Sequence, residues 1–191
     1  MHVSLVGSEM CIRDSIYVVS SEEERVEKAV KSIGKARNRA VMAWSITEGF
    51  QSLDGAADFQ DIRDPLRALD FIAKYEGNVM CILRDYHPYL KDPSVVRRLR
   101  DLHRVFKDSN YAQHVVLLSP LLKAPQELEK ELAVIDFDLP DREEIDAIVG
   151  KVAQSVPPSI ALSITDAPEA REAVVEAALG LTAEEAESVF A

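Results

Sequence analysis

Asp85 closes the apolar run Val79 to Leu83 (VMCIL), in the order Arg84, Asp85, Tyr86, His87, Pro88. Ligand crevices of open parallel sheets lie at the carboxyl ends of the strands, so a carboxylate there can hold magnesium against bound phosphates. Tyr86 stands where a glutamate would polarise an attacking water. The phosphate-holding half of such a site would come after the first strand. It would be a glycine-rich loop whose backbone N–H groups approach the phosphates, ending in a lysine and a Ser or Thr. Ile16 to Ser20 (IYVVS) is instead followed by Ser21, Glu22, Glu23, Glu24 and Arg25, with no glycine, no lysine and three glutamates that repel a triphosphate. The sequence therefore argues against nucleotide binding by this domain. Asp85 keeps two readings: a magnesium ligand by position only, or an acceptor for turn amides.

The remaining candidates are weaker. His87, within Tyr86-His87-Pro88-Tyr89, could act as acid, base or metal ligand, but no second His or Cys stands at ligand spacing and no nucleophile adjoins it. An ordered turn histidine is the plainer reading, and His103 and His114 read as packing or surface positions. Cys11 and Cys81 also lack metal-ligand spacing. Cys81, inside an apolar run, reads as a small core hydrophobe, which suits a reducing compartment. The cationic concentration is Arg97, Arg98, Arg100, Arg104 and Lys107, placed opposite the apolar stripe Val95, Leu99, Leu102, Phe106. Such a face could dock an acidic partner or a phosphate of a neighbouring subunit, or it could be a solvated face balanced by Asp101 and Asp108.

The elements that would position these residues alternate. The strand Ile16–Ser20 leads to a helix with Ser21 as N-cap, glutamates in its first turn, Val26, Val30 and Ile33 inward, and Gly34 at its end. Val41–Ser45 is a second strand, and Ile46–Arg63 a loop. Asp64-Pro65 caps and opens a helix with Leu66, Leu69, Phe71, Ile72 and Ala73 buried. Val79–Leu83 is the third strand, and Pro93-Ser94 opens the basic helix. His114–Ser119 and Ala133–Phe137 are the fourth and fifth strands, separated by a short helix over Gln126–Glu131. This alternation predicts an α/β fold with a five-stranded parallel sheet flanked by helices. After Pro140 come three helical segments, Asp141–Ala153, Pro168–Leu179 and Thr182–Ala191, with a break at Pro157-Pro158.

With 191 residues and 47% apolar content the chain can bury a core, and its net charge of -11 makes nucleic acid and anionic membranes poor partners. No apolar run approaches the roughly 20 residues of a membrane span. Residues 1–15 share no strand, stripe or capping logic with the rest of the chain, and LVGSEMCIRDS resembles a translated sequencing-adapter peptide, which makes this segment foreign and Cys11 uninformative. The last helix still runs at Ala191, which suggests a C-terminal truncation.

The segments IYVVSSEEERVE, DPLRALDFI, RDYHPYL, DPSVVRRLRDL, ELEKE, IDFDLPDREEI and ALGLTAEEAESVFA occur in that order. Through them, residues 16–191 resemble the N-terminal region of the cyanobacterial and plastid AAA protein family named for an uncharacterised chloroplast reading frame, number forty-six. The resemblance implies a degenerate AAA-like α/β domain over 16–140 and a helical lid-like subdomain over 141–191, opened by Leu139-Pro140-Asp141-Arg142. It further implies a downstream AAA module in the parent protein that binds ATP and magnesium and hydrolyses ATP. The fragment itself is expected to hold no cofactor and to do no catalysis. It would serve as an assembly or partner-recognition platform for that module or for neighbouring subunits of a homo-oligomer, in bacterial or cyanobacterial cytoplasm or plastid stroma. The alternatives are an atypical ATP sensor using Asp85, or a stand-alone interaction module, for instance a nucleic-acid clamp on the basic helix.

Overall fold

The computed structural model describes residues 15–55, 61–155 and 168–190. Of the adapter-like segment 1–15, residues 1–14 with Cys11 lie outside the described residues, as do the Pro157-Pro158 break and Ala191, whereas Ser15 is the first residue of a strand that pairs opposite Val115. The chain divides into two compact units, Met1–Asp136 and Phe137–Ala191.

In the first unit the order is β1 (Ser15–Val19), α1 (Glu23–Ala36), β2 (Ala40–Ser45), β3 (Gly49–Ser52), α2 (Pro65–Lys74) and β4 (Val79–Arg84). A 3-10 turn (His87–Lys91), α3 (Pro93–Asp108), β5 (Gln113–Ser119), a second 3-10 turn (Gln126–Leu128) and β6 (Leu132–Asp136) complete it. The strands form one six-stranded sheet in the order β3-β2-β4-β5-β1-β6. The five expected strands run parallel. The sixth corrects the expectation: β3 lies within the predicted loop Ile46–Arg63 and pairs antiparallel with β2. Its sequence, GFQS, has no β-branched residue. It becomes a strand because Gly49 takes the positive φ of +69° that reverses the chain, and because the outer side of β2 offers unpaired backbone groups. Phe50 then buries itself against Phe71, ring centroids 4.7 Å apart.

Alternate residues of the central strands point to opposite faces. Tyr17, Met42, Trp44, Cys81, Leu83, Val115 and Leu117 pack with Leu69, Ile72, Leu99 and Leu102 of α2 and α3. Trp44 and Tyr86 meet edge to face at 5.4 Å, and the indole N–H donates to Ile62 O at 2.6 Å. On the other face α1 lies against β2. Gly34, expected at the end of that helix, lies in its last turn, where any Cβ would overlap the Val41 side chain. Ile33, expected inward, is 38% exposed. Ser21 is not the cap of α1. The N-cap is Glu22, whose N–H donates to Ser20 Oγ at 3.0 Å. Asp64 and Asp92 do cap α2 and α3, accepting at 2.8 Å from Arg67 N and Ser94 N, each with proline in the first turn. The predicted helix over Gln126–Glu131 is shorter, a 3-10 turn over Gln126–Leu128.

The second unit holds α4 (Arg142–Ser155), α5 (Pro168–Ala178) and α6 (Ala183–Phe190) around Ile145, Val149, Val175, Ala178 and Ala186. Two reciprocal capping boxes start helices there. Glu144 N donates to Asp141 Oδ1 at 3.0 Å while Asp141 N donates to Glu144 Oε2 at 3.1 Å, and Thr182 with Glu185 repeats the pattern at 3.2 and 2.8 Å. Arg171 forks onto Asp146 of α4 at 2.6 and 2.9 Å.

Candidate functional site

The carboxyl edge of the parallel strands brings together the segments that come after β1, β4 and β5. At the start of α1 the glutamates are placed differently: Glu24 is exposed beside Lys28 at 3.6 Å, whereas Glu22 faces an internal partner. Glu22, with a side chain only 5% exposed, accepts from Arg25 at 2.7 Å. Arg84, the last residue of β4, donates through Nε to Glu27 Oε1 at 2.6 Å and through Nη1 to Glu48 Oε2 at 3.3 Å, with Glu23 at 3.9 Å. Burial opposes the Arg84 charge, but the Glu27 hydrogen bond and the charges of Glu27, Glu23 and Glu48 outweigh it, and the guanidinium is held above its ordinary range. This seam ties β4 to α1 and to the β2–β3 turn. An anion arriving at the start of α1 would meet carboxylates before backbone N–H groups.

Asp85 comes next with a positive φ of 48°, its N–H donating to Leu118 O at 2.9 Å and its side chain 59% exposed. That left-handed backbone is one that Asp and Asn tolerate better than other residues with a Cβ. Tyr86, beside it, turns inward: it is fully buried, and its hydroxyl donates to Pro65 O at 2.8 Å. Burial pushes its phenol far above the ordinary range. A side chain so enclosed does not reach an attacking water.

His87 has a neighbour that spacing along the chain does not reveal. β4 and β5 are adjacent in register, Arg84 opposite Leu118, so the residues just past Arg84 meet Ser119. His87 Nδ1 lies 2.6 Å from Ser119 Oγ, and Asp85 Oδ1 lies 3.9 Å from the same nitrogen. A nucleophilic triad needs the serine on one ring nitrogen and the carboxylate on the other. Here both converge on Nδ1, and Ser119 is 2% exposed and also bonded to Leu121 O at 3.2 Å. The contact therefore ties the 3-10 turn after β4 to the last residue of β5. Cys81 is fully buried, and burial pushes its thiol far up. Among the described residues no group of three or more His, Cys, Asp or Glu side chains is placed to hold a metal ion.

The five basic residues of α3 do not act as one face. Arg97 and Arg104 share Asp101, at 2.6 and 3.3 Å. Arg98 turns toward α2, its Nε 2.7 Å from Asp70 Oδ1 at ion-pair distance without hydrogen-bond alignment. Arg100 reaches Glu131 at 3.2 Å. Lys107 is exposed and makes no ion pair among the described residues. Two cations from elsewhere join Arg97 and Arg100: Lys91 of the 3-10 turn and Lys123 of the connection after β5 border with them a groove of about 800 Å³. Composition hides this grouping, because neither lysine belongs to α3 and Lys123 lies far from it in sequence.

Residues 13–137 match the family model "SpoVK-like AAA ATPase, N-terminal domain", and residues 143–191 match "SpoVK-like AAA ATPase, second domain". "Uncharacterized AAA domain-containing protein ycf46" of Guillardia theta is 33% identical over 180 residues, 92% of this chain and 34% of that protein. The protein of the same name from Trieres chinensis is 28% identical over 172 residues, 88% of this chain and 33% of its own length. The chain thus spans about a third of the length of these curated relatives. A solved structure described as a DNA replication initiation factor aligns over 91% of this chain and 56% of its own, with a TM-score of 0.47 and 9% identity, a likeness too loose to carry an argument.

Proposed function

This chain belongs to the SpoVK-like AAA ATPase family, and we propose that within a longer ATPase it is a platform for assembly or partner recognition rather than a site of ATP hydrolysis. The observation that carries this reading is the seam at the start of α1. Glu22 and Glu23 stand where phosphates would need backbone N–H groups and a lysine, Glu27 follows one helical turn later, and Arg25 and Arg84 are engaged by these carboxylates. ATP and magnesium then belong to a downstream module of the parent protein. The helical unit, which comes after the sheet unit in the chain, is read as lid-like by its order in the sequence. Its partners would be that module or neighbouring subunits of a homo-oligomer, in a bacterial or cyanobacterial cytoplasm or a plastid stroma. Among the described residues no helix is long and apolar enough to cross a membrane.

The test is titration of a fluorescent ATP analogue with magnesium into this chain. We expect no saturable binding at micromolar concentration. The rival reading, an atypical ATP sensor using Asp85, predicts saturable binding that Asp85→Asn abolishes. Asn is the informative replacement, because it tolerates the left-handed backbone at that position. In the full-length protein, reversing Arg97, Arg100 and Arg104 to glutamate should weaken assembly. Unchanged assembly and unchanged ATPase rate would remove α3 from the proposed interface.

A further inference from the structure

We propose that the groove beside α3 binds an acidic peptide segment carrying an apolar anchor residue, which gives a chemical identity to the partner in the platform reading and rests on that reading. The groove lies wholly in the sheet unit, between the 3-10 turn His87–Lys91, the first half of α3 and the connection after β5. Its rim carries Lys91, Arg97, Arg100 and Lys123 against the single carboxylate Glu127. On a chain of net charge -11 this is a local reversal of sign. It is the kind of patch that selects an anionic partner and speeds its approach.

The charges are available. Neither Lys91 nor Lys123 makes an ion pair among the described residues, while Arg97 engages Asp101 through Nη2 and Arg100 engages Glu131 through Nε. Each guanidinium has five N–H donors, so both keep donors to offer. Lys91 also borders a smaller hollow with Asp64 and Asp92. Those carboxylates are already accepting from Arg67 N and Ser94 N as helix caps.

The floor is apolar and stiff. Pro88, Pro93, Pro125, Leu90, Val96 and Ala124 line it. Prolines have φ fixed before any ligand arrives, which lowers the ordering cost of binding. The connection bearing Lys123 is pinned from below by Tyr17, which is fully buried. Its hydroxyl donates to Leu121 O at 2.6 Å and accepts from Lys123 N at 3.3 Å. Leu121 and Leu122 on the same connection are 50% and 54% exposed, so apolar surface continues beside the groove.

A cationic rim over an apolar floor fits a peptide in which carboxylates flank an apolar side chain. It does not fit single-stranded nucleic acid. Among the described residues no Phe, Tyr or Trp lines the groove to stack a base, and the acidic remainder of the chain repels a phosphate backbone.

The test is fluorescence anisotropy of the intact chain with a fluorescein-labelled peptide that alternates aspartate with phenylalanine and leucine. Two comparison peptides carry asparagine for aspartate, or serine for the apolar residues. We expect micromolar binding of the first peptide and at least tenfold weaker binding of either comparison. Lys91→Gln with Lys123→Gln should weaken binding about tenfold and K91E with K123E further, whereas Lys107→Glu, the same charge change on α3 outside the groove, should change it less than twofold. Trp44 emission reports whether each variant is folded. Equal weakening by Lys107→Glu would reduce the effect to bulk charge and overturn the proposal. So would equal binding of the serine peptide together with full competition by pyrophosphate, which would make the groove a simple anion site. Neither failure touches the platform reading, which falls if the ATP analogue binds saturably to this chain.

Discussion

Two clusters of charge flank the carboxyl edge of the sheet, and they are used in opposite ways. In the seam after β1, Arg84 is surrounded by Glu23, Glu27 and Glu48 and has a side chain only 17% exposed. In the groove beside α3, Lys91 and Lys123 have no acidic partner among the described residues. Opposite charges brought together inside the fold hold elements in place and leave little for a ligand. Charges left at the surface add little stability but remain available for recognition. The capping carboxylates of the helical unit belong with the seam, since each is spent on backbone N–H groups.

The contrast between seam and groove is most vulnerable at Arg84. Arg84→Met leaves Glu27, itself only 14% exposed, without its partner, and should cost about 2 kcal/mol. The single tryptophan, Trp44, is fully buried and reports unfolding in urea, so a lower midpoint checks this. An unchanged midpoint would mean that the seam contributes nothing to the fold. Tyr86→Phe removes the bond to Pro65 O from a closed core and should cost about 1 kcal/mol by the same assay.

Acid should separate the two units. Hydrogen bonds from Glu144 N, from Arg171 and from Thr182 N hold Asp141, Asp146 and Glu185 below their ordinary carboxylate range. A depressed folded-state value means the stabilisation is complete above the unfolded value and is lost as pH falls through the folded one. Helical ellipticity at 222 nm should therefore begin to fall below roughly pH 4, before Trp44 emission shifts. Simultaneous loss of both signals would contradict the separation. Lys91→Gln with Lys123→Gln should move the stability read from the urea midpoint by no more than about 0.5 kcal/mol, because neither lysine makes an ion pair among the described residues. At the far end, Cys81 should show no reaction with a thiol reagent until the chain unfolds, as judged by mapping the modified peptide.

The segments readable in advance were those whose own residues encode a local rule. Asp64-Pro65 and Pro93-Ser94 announce helix starts, and VMCIL and VVLL announce buried strands, because capping, proline placement and apolar run length act within a few neighbours. The same locality explains the errors. Gly34 resembles a helix end until β2 is seen packed against it, and GFQS resembles a loop until the outer side of β2 is seen to be unpaired. The seam, the His87–Ser119 contact and the groove were not readable, since each joins segments from different elements. Glu27 and Arg84 lie 57 positions apart, and Ser119 and His87 lie 32 apart.

By itself, then, the sequence determined that no glycine-rich loop comes after Ser20 and that glutamates stand there instead, because residue types at a turn are a property of the chain. Only the tertiary structure decided what those glutamates do. Parallel pairing of β4 between β2 and β5 places Arg84 where α1 begins, so Glu27 with Glu23 faces Arg84 and Glu22 pairs with Arg25, while Glu24 stays exposed beside Lys28. It also gathers Lys91, Arg97, Arg100 and Lys123 from three separate segments around one groove, a grouping that depends on how the elements pack and not on how the residues are spaced.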